Sequence, residues 1–356
     1  MVAGGAVVAD FRSDTVTEPS AGMRRAMGDA LEGRLGDDVI DGDGHIARLE
    51  RRVAELCGKP AALFCASGTM TNQIALACHL SRLDSVVCDV RSHVFTAEAG
   101  GIAFHSQAQA MPVVVRPGQA LTAEQVRETA LPEGDVHHAT TRVVSLENTL
   151  GGVVFPDENL AGIAELAKGS GLLLHLDGAR LWNAAVRDSP ERPQEYMRRF
   201  SEPFSTVSLC LSKGLGCPIG SLLAGSKETI RKARHLRKAF GGGWRQAGVL
   251  AAAGHYALDN NWLRMAEDHL HASRLADGLK KLDLEITSPV HTNMVWVHDP
   301  RGMLADAARF LLSHGVAIAP SSSSDARLVT HLMLTADHIQ LLLRLLSNFY
   351  KQSTER

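Results

Sequence analysis

Through the middle of the chain, short runs of apolar residues recur, and each stops abruptly at a polar cluster. Residues 61–65 lead to Ser67-Gly68-Thr69, residues 172–176 to Asp177-Gly178-Ala179-Arg180, and residues 206–211 to Ser212-Lys213-Gly214. Runs this short are of strand length, and their unbroken apolar character fits strands covered on both faces. Further strands are expected at 85–90 and 142–146, with helix-like spacing at 70–80 and 160–168. Strands alternating with helices point to an α/β fold with a mainly parallel sheet, because parallel strands need crossover connections. A helix-rich stretch over 233–279 precedes strand candidates at 293–298 and 328–334 and a terminal helix at 336–350. The expected organisation is a large domain over 1–255, with its sheet between helices, and a smaller α+β domain over 256–356.

The composition narrows the partners. The 356 residues are 45% apolar, enough for a large core or two cores sharing a cleft. Basic and acidic residues number 37 and 39, so no field favours nucleic acid or an anionic membrane, and a bound phosphate would need a local site. No apolar run is long enough to span a bilayer. Residues 1–8 are apolar but lack a basic start, which reads as a strand lead-in or loose terminus and favours the cytoplasm. The six cysteines form no C-x-x-C pair, so neither zinc nor a redox dithiol is indicated. Cys65, Cys78, Cys88 and Cys210 sit in apolar runs as small core residues; Cys57 falls at a helix end and Cys217 in a loop near Lys213.

Ligands of an open α/β sheet bind at the carboxyl ends of its strands, where the three clusters lie. Ser67-Gly68-Thr69 can cradle an anion at a helix N-terminus, with Gly68 allowing close approach and Thr69 offering a hydroxyl; it equally suits an ordinary helix cap. Asp177, closing a buried strand, needs a partner to offset its desolvation. A pyridinium nitrogen would serve, and so would the nearby Arg180. Lys213, flanked by glycine, can be a nucleophilic amine next to a ring or a solvated loop lysine. Taken together, a phosphate cradle, an acid and a lysine in that order compose a pyridoxal 5'-phosphate (PLP) site. His93, in a polar loop after the 85–90 strand, can stack on the ring.

The same residues carry a resemblance. The stretches 11–17 and 67–69, His93 with Glu98-Ala99-Gly100-Gly101, and Ser145-Leu146-Glu147-Asn148-Thr149 run in order along the chain. They are followed by 176–180, 210–216, 241–246 and 327–331. So read, the chain resembles the low-specificity L-threonine aldolases, most closely the fungal type, of the aspartate-aminotransferase-like fold (PLP fold type I). The resemblance implies that Lys213 is the covalent anchor of PLP, Asp177 faces the pyridine nitrogen and His93 stacks on the ring. It implies that Gly68, Thr69 and Arg245 hold the phosphate, Arg245 from a neighbouring subunit of a homotetramer. Ser13, Arg180 and Arg327 would hold the carboxylate of a small amino-acid substrate, and His93, His137 or a water they position would take the proton of its β-hydroxyl. The implied reaction cleaves a β-hydroxy-α-amino acid to glycine and an aldehyde.

Two positions depart from the family's pattern. Ile40 stands where members usually carry tyrosine, and Ala97 where an aromatic residue or histidine is frequent. Loss of polar or aromatic groups on the substrate side would weaken the handling of a hydroxyl. The rival expectation is therefore an alanine racemase on the same scaffold, with Lys213 serving one face of the α-carbon. No ligand cluster suggests a metal.

Overall fold

The computed structural model describes residues 7–116 and 118–354. Most of the opening segment read as a strand lead-in, residues 1–6, lies outside them. Twelve strands are present among the described residues: β1 Ala9–Asp10, β2 Ala61–Cys65, β3 Asp84–Asp89, β4 Gln109–Val113, β5 Thr140–Glu147 and β6 Leu173–Asp177, then β7 Thr206–Cys210, β8 Ser221–Gly225, β9 Glu285–Ile286, β10 Met294–His298, β11 Val316–Ala317 and β12 Asp325–Val329.

The large sheet has the order β2-β8-β7-β6-β5-β3-β4. Every neighbouring pair is parallel except those of β8, which is antiparallel to both β2 and β7. The mixed α/β architecture expected from the sequence is the one found. Burial explains why the central strands were legible: β7 and β8 are buried along their whole length, and β2 and β6 along all but their first residue. Each fully buried aliphatic side chain contributes about 1.5–3 kcal/mol. Strands β4 and β8 were not anticipated from the sequence. β4 is an edge strand without a continuously buried face, and β8 reverses direction after the ten-residue connection 211–220.

Helix boundaries follow their caps. Ser67 caps the helix Gly68–His79 by accepting the Met70 N–H, and Asp43 caps Gly44–Leu56 in the same way. The helix Asp157–Ser170 has two acids in its first turn, Lys168 in its last, and ends at Gly171 with φ +68°. Among the described residues no helix is long and apolar enough to cross a membrane.

Two large apolar cores and two smaller ones are present among the described residues. One large core joins the large sheet to its helices and reaches Trp262 and Met265. The other large core gathers Ala272 to Tyr350 around the three-stranded sheet β12-β10-β9. Ala9 and Phe11 join this second core, because β1 pairs in parallel with β11. Of the expected 328–334 strand, only residues to Val329 are extended. Beyond it Thr330 and His331 are buried polar groups satisfied by backbone carbonyls, Thr330 Oγ1 donating to Asp268 and His331 Nε2 to Asp10. Cys57 and Cys217, set apart in the sequence, are each 1% exposed and belong to the first core. Burial pushes the Cys57 thiol up to about 12.

Candidate active site

All strands of the large sheet except β8 finish at one edge, and that edge collects the polar clusters. Asp177 closes β6 and is 3% exposed. Its oxygens accept from Asn72 Nδ2 at 2.8 Å and from the Ala179 N–H at 3.0 Å. Arg180 is not its partner. The Arg180 guanidinium turns instead to Asp14, with Nε and Nη2 2.8 and 2.7 Å from the two carboxylate oxygens. The sequence left two partners open for Asp177, and the fold removes the arginine.

Lys213 follows β7 in the loop that turns back into β8. Gly216 in that loop has φ +75°, and a Cβ there would lie 2.7 Å from Leu332. The Lys213 carbonyl accepts the Thr17 hydroxyl at 2.8 Å, which ties the loop to the N-terminal segment. Lys213, Asp177, His93 and Ser67-Gly68-Thr69 line one cavity of about 280 Å³. A Cβ on Gly68 would come within 2.6 Å of Cys210 Sγ, so glycine lets the helix N-terminus close on β7. His93 donates its backbone N–H to Glu147 Oε2 at 2.8 Å, and its Nδ1 lies 2.7 Å from Glu98 Oε1.

His93 also borders a second chamber of about 580 Å³, shared with Glu147, Arg180, Arg327 and Ala97. Phe155, Met294 and Trp296 add an apolar wall. The chamber is strongly polarised. Burial would raise the Asp14 carboxyl, but Arg180 outweighs it and holds Asp14 well below the usual carboxylate range. Burial, with the neighbouring Asp177 charge, raises Glu147 well above it. The hydrogen bond to Glu98 raises His93. Burial lowers Arg327, and repulsion from Arg180 adds to it. Two guanidinium groups facing one chamber suit an anionic ligand such as a carboxylate.

The donor set of the smaller cavity fits PLP. It offers an amine for the aldehyde carbon, a hydrogen-bonded buried carboxylate for the ring nitrogen, an imidazole for the ring face and a helix N-terminus for the phosphate.

Of the residues singled out in the sequence, Gly68, Thr69, His93, Asp177 and Lys213 meet in this cavity, and Arg180 and Arg327 in the adjoining chamber. Ser13 borders neither; its hydroxyl accepts the Thr15 N–H at 3.2 Å. Arg245 is exposed, 3.2 Å from Asp37, and borders neither. His137 is not brought to the site of its own chain. It precedes β5, whereas Glu147 at the site ends that eight-residue strand, and such a strand spans about 25 Å. There His137 is exposed and bonded to Asp135 at 2.8 Å. Ala97 borders the chamber, but Ile40 is 80% exposed and borders neither space. Asp14, Glu98 and Glu147 lie inside the motifs that carry the resemblance but have no role legible there, and Asn72 lies in a helix whose sequence gives no signal of it.

Comparison with known proteins adds an independent line. The Beta-eliminating lyase family matches residues 10–299. A low-specificity L-threonine aldolase of Saccharomyces cerevisiae is 43% identical over 292 residues, covering 81% of this chain and 73% of that protein. Among solved structures, a Leishmania major threonine aldolase superposes with a TM-score of 0.82 at 21% identity, over 96% of this chain and 99% of that one. An SPT solved with PLP gives a TM-score of 0.72 at 18% identity, over 95% and 86%.

Proposed function

The chain belongs to the Beta-eliminating lyase family, and from that premise we propose that it is a PLP-dependent lyase of the low-specificity L-threonine aldolase kind, cleaving β-hydroxy-α-amino acids to glycine and an aldehyde. The observation that carries this reading is the sharing of His93 between two spaces, one holding Lys213 and Asp177, the other holding Arg180 and Arg327. When bound, PLP supplies the electron sink that makes breaking the Cα–Cβ bond feasible.

The chain's own residues do the rest. Lys213 anchors the cofactor, Asp177 holds its ring nitrogen, and Ser67-Gly68-Thr69 receive its phosphate at the helix N-terminus. Arg180 and Arg327 take the substrate carboxylate. Arg180 is fixed for this by its two bonds to Asp14, so the clamp is set before substrate arrives. Asn72 and Gln73 also donate to Glu98, so His93 in its neutral form donates from Nδ1 and presents a lone pair at Nε2. That nitrogen is the group suited to take the β-hydroxyl proton, a role His137 cannot fill in its own chain. The apolar wall of Phe155, Met294 and Trp296 receives the β-substituent and keeps water from the leaving aldehyde.

Racemisation of alanine, the rival expectation, gains no support from the relatives. For the assembly and its location we propose a cytoplasmic homotetramer. Arg245 and His137, both exposed and outside the cleft of their own chain, are side chains that shared clefts would take from a neighbour.

The test is a paired assay on PLP-loaded protein, following aldehyde release from L-threonine and L-allo-threonine beside D-alanine formation from L-alanine. Aldehyde release with negligible D-alanine is expected. Lys213→Ala should lose the visible absorbance of the anchored cofactor and lower aldehyde release by about 10³-fold or more. D-alanine formation without aldehyde would refute the aldolase reading.

A further inference from the structure

Behind the cofactor cavity, one buried side-chain amide sits between two carboxylates. Asn72 Nδ2 lies 2.8 Å from Glu98 Oε1 and 2.8 Å from Asp177 Oδ2. Carboxylates accept, so both amide hydrogens are used there and the opposite amide orientation would face oxygen to oxygen. The Asn72 carbonyl is thereby turned towards His175, 3.1 Å from its Nε2. A carbonyl cannot donate, so His175 Nε2 carries the hydrogen. Burial holds His175 near 4, so the ring is neutral at pH 7 and its Nδ1 must accept. The donor is the Thr206 hydroxyl at 2.9 Å. Thr206 has then spent its one hydrogen, and its oxygen can only accept from His79 Nε2, 3.1 Å away. With His175 neutral, the row runs in one direction from the carboxylates outward.

The row is joined to the cavity at two points. Glu98 Oε1 also accepts from His93 Nδ1 at 2.7 Å, and Oε2 from Gln73 Nε2 at 2.6 Å. Asp177 and His175 lie two residues apart on β6, so both point to the same face, the one covered by the helix Gly68–His79 that carries Asn72.

We infer that Asn72 is a positioning residue for the reaction: its single amide ties His93, through Glu98, to Asp177, and the one-way hydrogen bonds behind it lock His175 as the neutral Nε2–H tautomer that keeps the amide oriented. This rests on the reading that Asp177 faces the ring nitrogen of PLP. A change of protonation on either side of the cofactor is then felt on the other through one side chain.

The experiment uses the PLP-loaded enzyme with ¹⁵N-labelled histidine, read by NMR and by the pH titration of the visible cofactor band. In the wild type, His175 should show a protonated Nε2 and a bare Nδ1 from pH 6 to 9. Asn72→Asp removes two donors and sets a third carboxylate beside Asp177, while His93, Glu98, Glu147 and Lys213 are unchanged. The midpoint of the cofactor band should rise by about one pH unit or more, since added negative charge favours the protonated form. Should that variant fail to fold, Thr206→Val keeps the shape and removes the hydroxyl that serves His175 Nδ1 and His79 Nε2, which should shift the ¹⁵N signal of His175 Nδ1 while Nε2 stays protonated against Asn72. An imidazolium or an Nδ1–H tautomer at His175 in the wild type would overturn the inference, as would an Asn72→Asp band that titrates like the wild type. If PLP produces no visible band, the cofactor reading itself falls and the coupling with it, while the His175 signals of the same sample report separately whether the row exists.

Discussion

Asp14 shows how much a single buried side chain can decide. It is fully buried, binds Arg180 through both oxygens and accepts from Asn293 Nδ2 at 3.2 Å. Arg180 belongs to the large-sheet side of the cleft and Asn293 to the segment leading into β10, so one carboxylate ties Arg180 to both sides. Asp14→Asn would leave the Arg180 charge without its counter-ion in a place that water reaches poorly. Breaking a buried pair from one side costs about 3–5 kcal/mol. We expect a loss of that size in chemical denaturation, together with a raised KM as Arg180 loses its fixed direction. A stability within about 1 kcal/mol of wild type would mean that Arg180 finds another partner. Asp14 stands inside the 11–17 stretch that carries the resemblance, yet nothing in its neighbours along the chain says that its partner is Arg180.

At the scale of elements, the helix Gly68–His79 does most to assemble the site. Its N-terminus faces the cofactor cavity, and its inner face supplies Thr71, Asn72 and Gln73 to buried hydrogen bonds with β7, β6 and Glu98. Thr71 Oγ1, for example, lies 2.6 Å from Ser208 Oγ. The close approach depends on Gly68, where a methyl group would meet Cys210 Sγ at 2.6 Å. Cys210 is itself 3% exposed and has little room to yield. Gly68→Ala should therefore push the helix off β7, destabilise the fold by about 1–3 kcal/mol and weaken PLP binding at least tenfold. Titration of the apo-protein with PLP would measure the second effect, and unchanged affinity would show that the helix end tolerates displacement. The helix was legible because a strand-length apolar run, a cap and helical spacing follow one another. Strand β8 was not, because a buried five-residue run looks the same whichever way it points.

The whole molecule places its cleft between the large-sheet core and the core around the three-stranded sheet, and its response to acid follows from the histidines it buries. His79, His175 and His269 are each held near 4 by burial, against an ordinary value of 6.5. Their folded values lie below their unfolded ones, so the unfolded chain binds more protons between these limits. Their contribution is complete above about pH 6.5 and is lost as pH falls towards 4. Unfolding near pH 5 should take up as many as about three protons from these groups, offset in part by His93, whose raised value acts in the opposite sense. Urea denaturation at pH 7.5, 6 and 5 would show a stability falling with each step, and a flat profile would contradict the buried neutral rings. The same scale decides how the chain's ends are used. Residues 9–11 join the C-terminal core through β11, so the N-terminal segment crosses the cleft and delivers Asp14 and Thr17 to it.

By itself the sequence determined the elements whose signals are local: the apolar strands, the caps that follow them, and the polar residues standing where strands end. That was enough for the α/β architecture and for Lys213, Asp177, His93, Gly68 and Thr69 as candidate site residues, whereas Arg180 and Arg327 became candidates for a substrate carboxylate only through the family resemblance. Only the tertiary structure decided which polar groups face one another. Asp177 is bound by Asn72 and not Arg180, Arg180 by Asp14, and His137 is carried to the far end of β5. The reason is physical. Periodicity and capping are set by residues a few positions apart, whereas hydrogen-bond partners are chosen by which strand ends the sheet order brings together, across separations such as the 166 residues between Asp14 and Arg180.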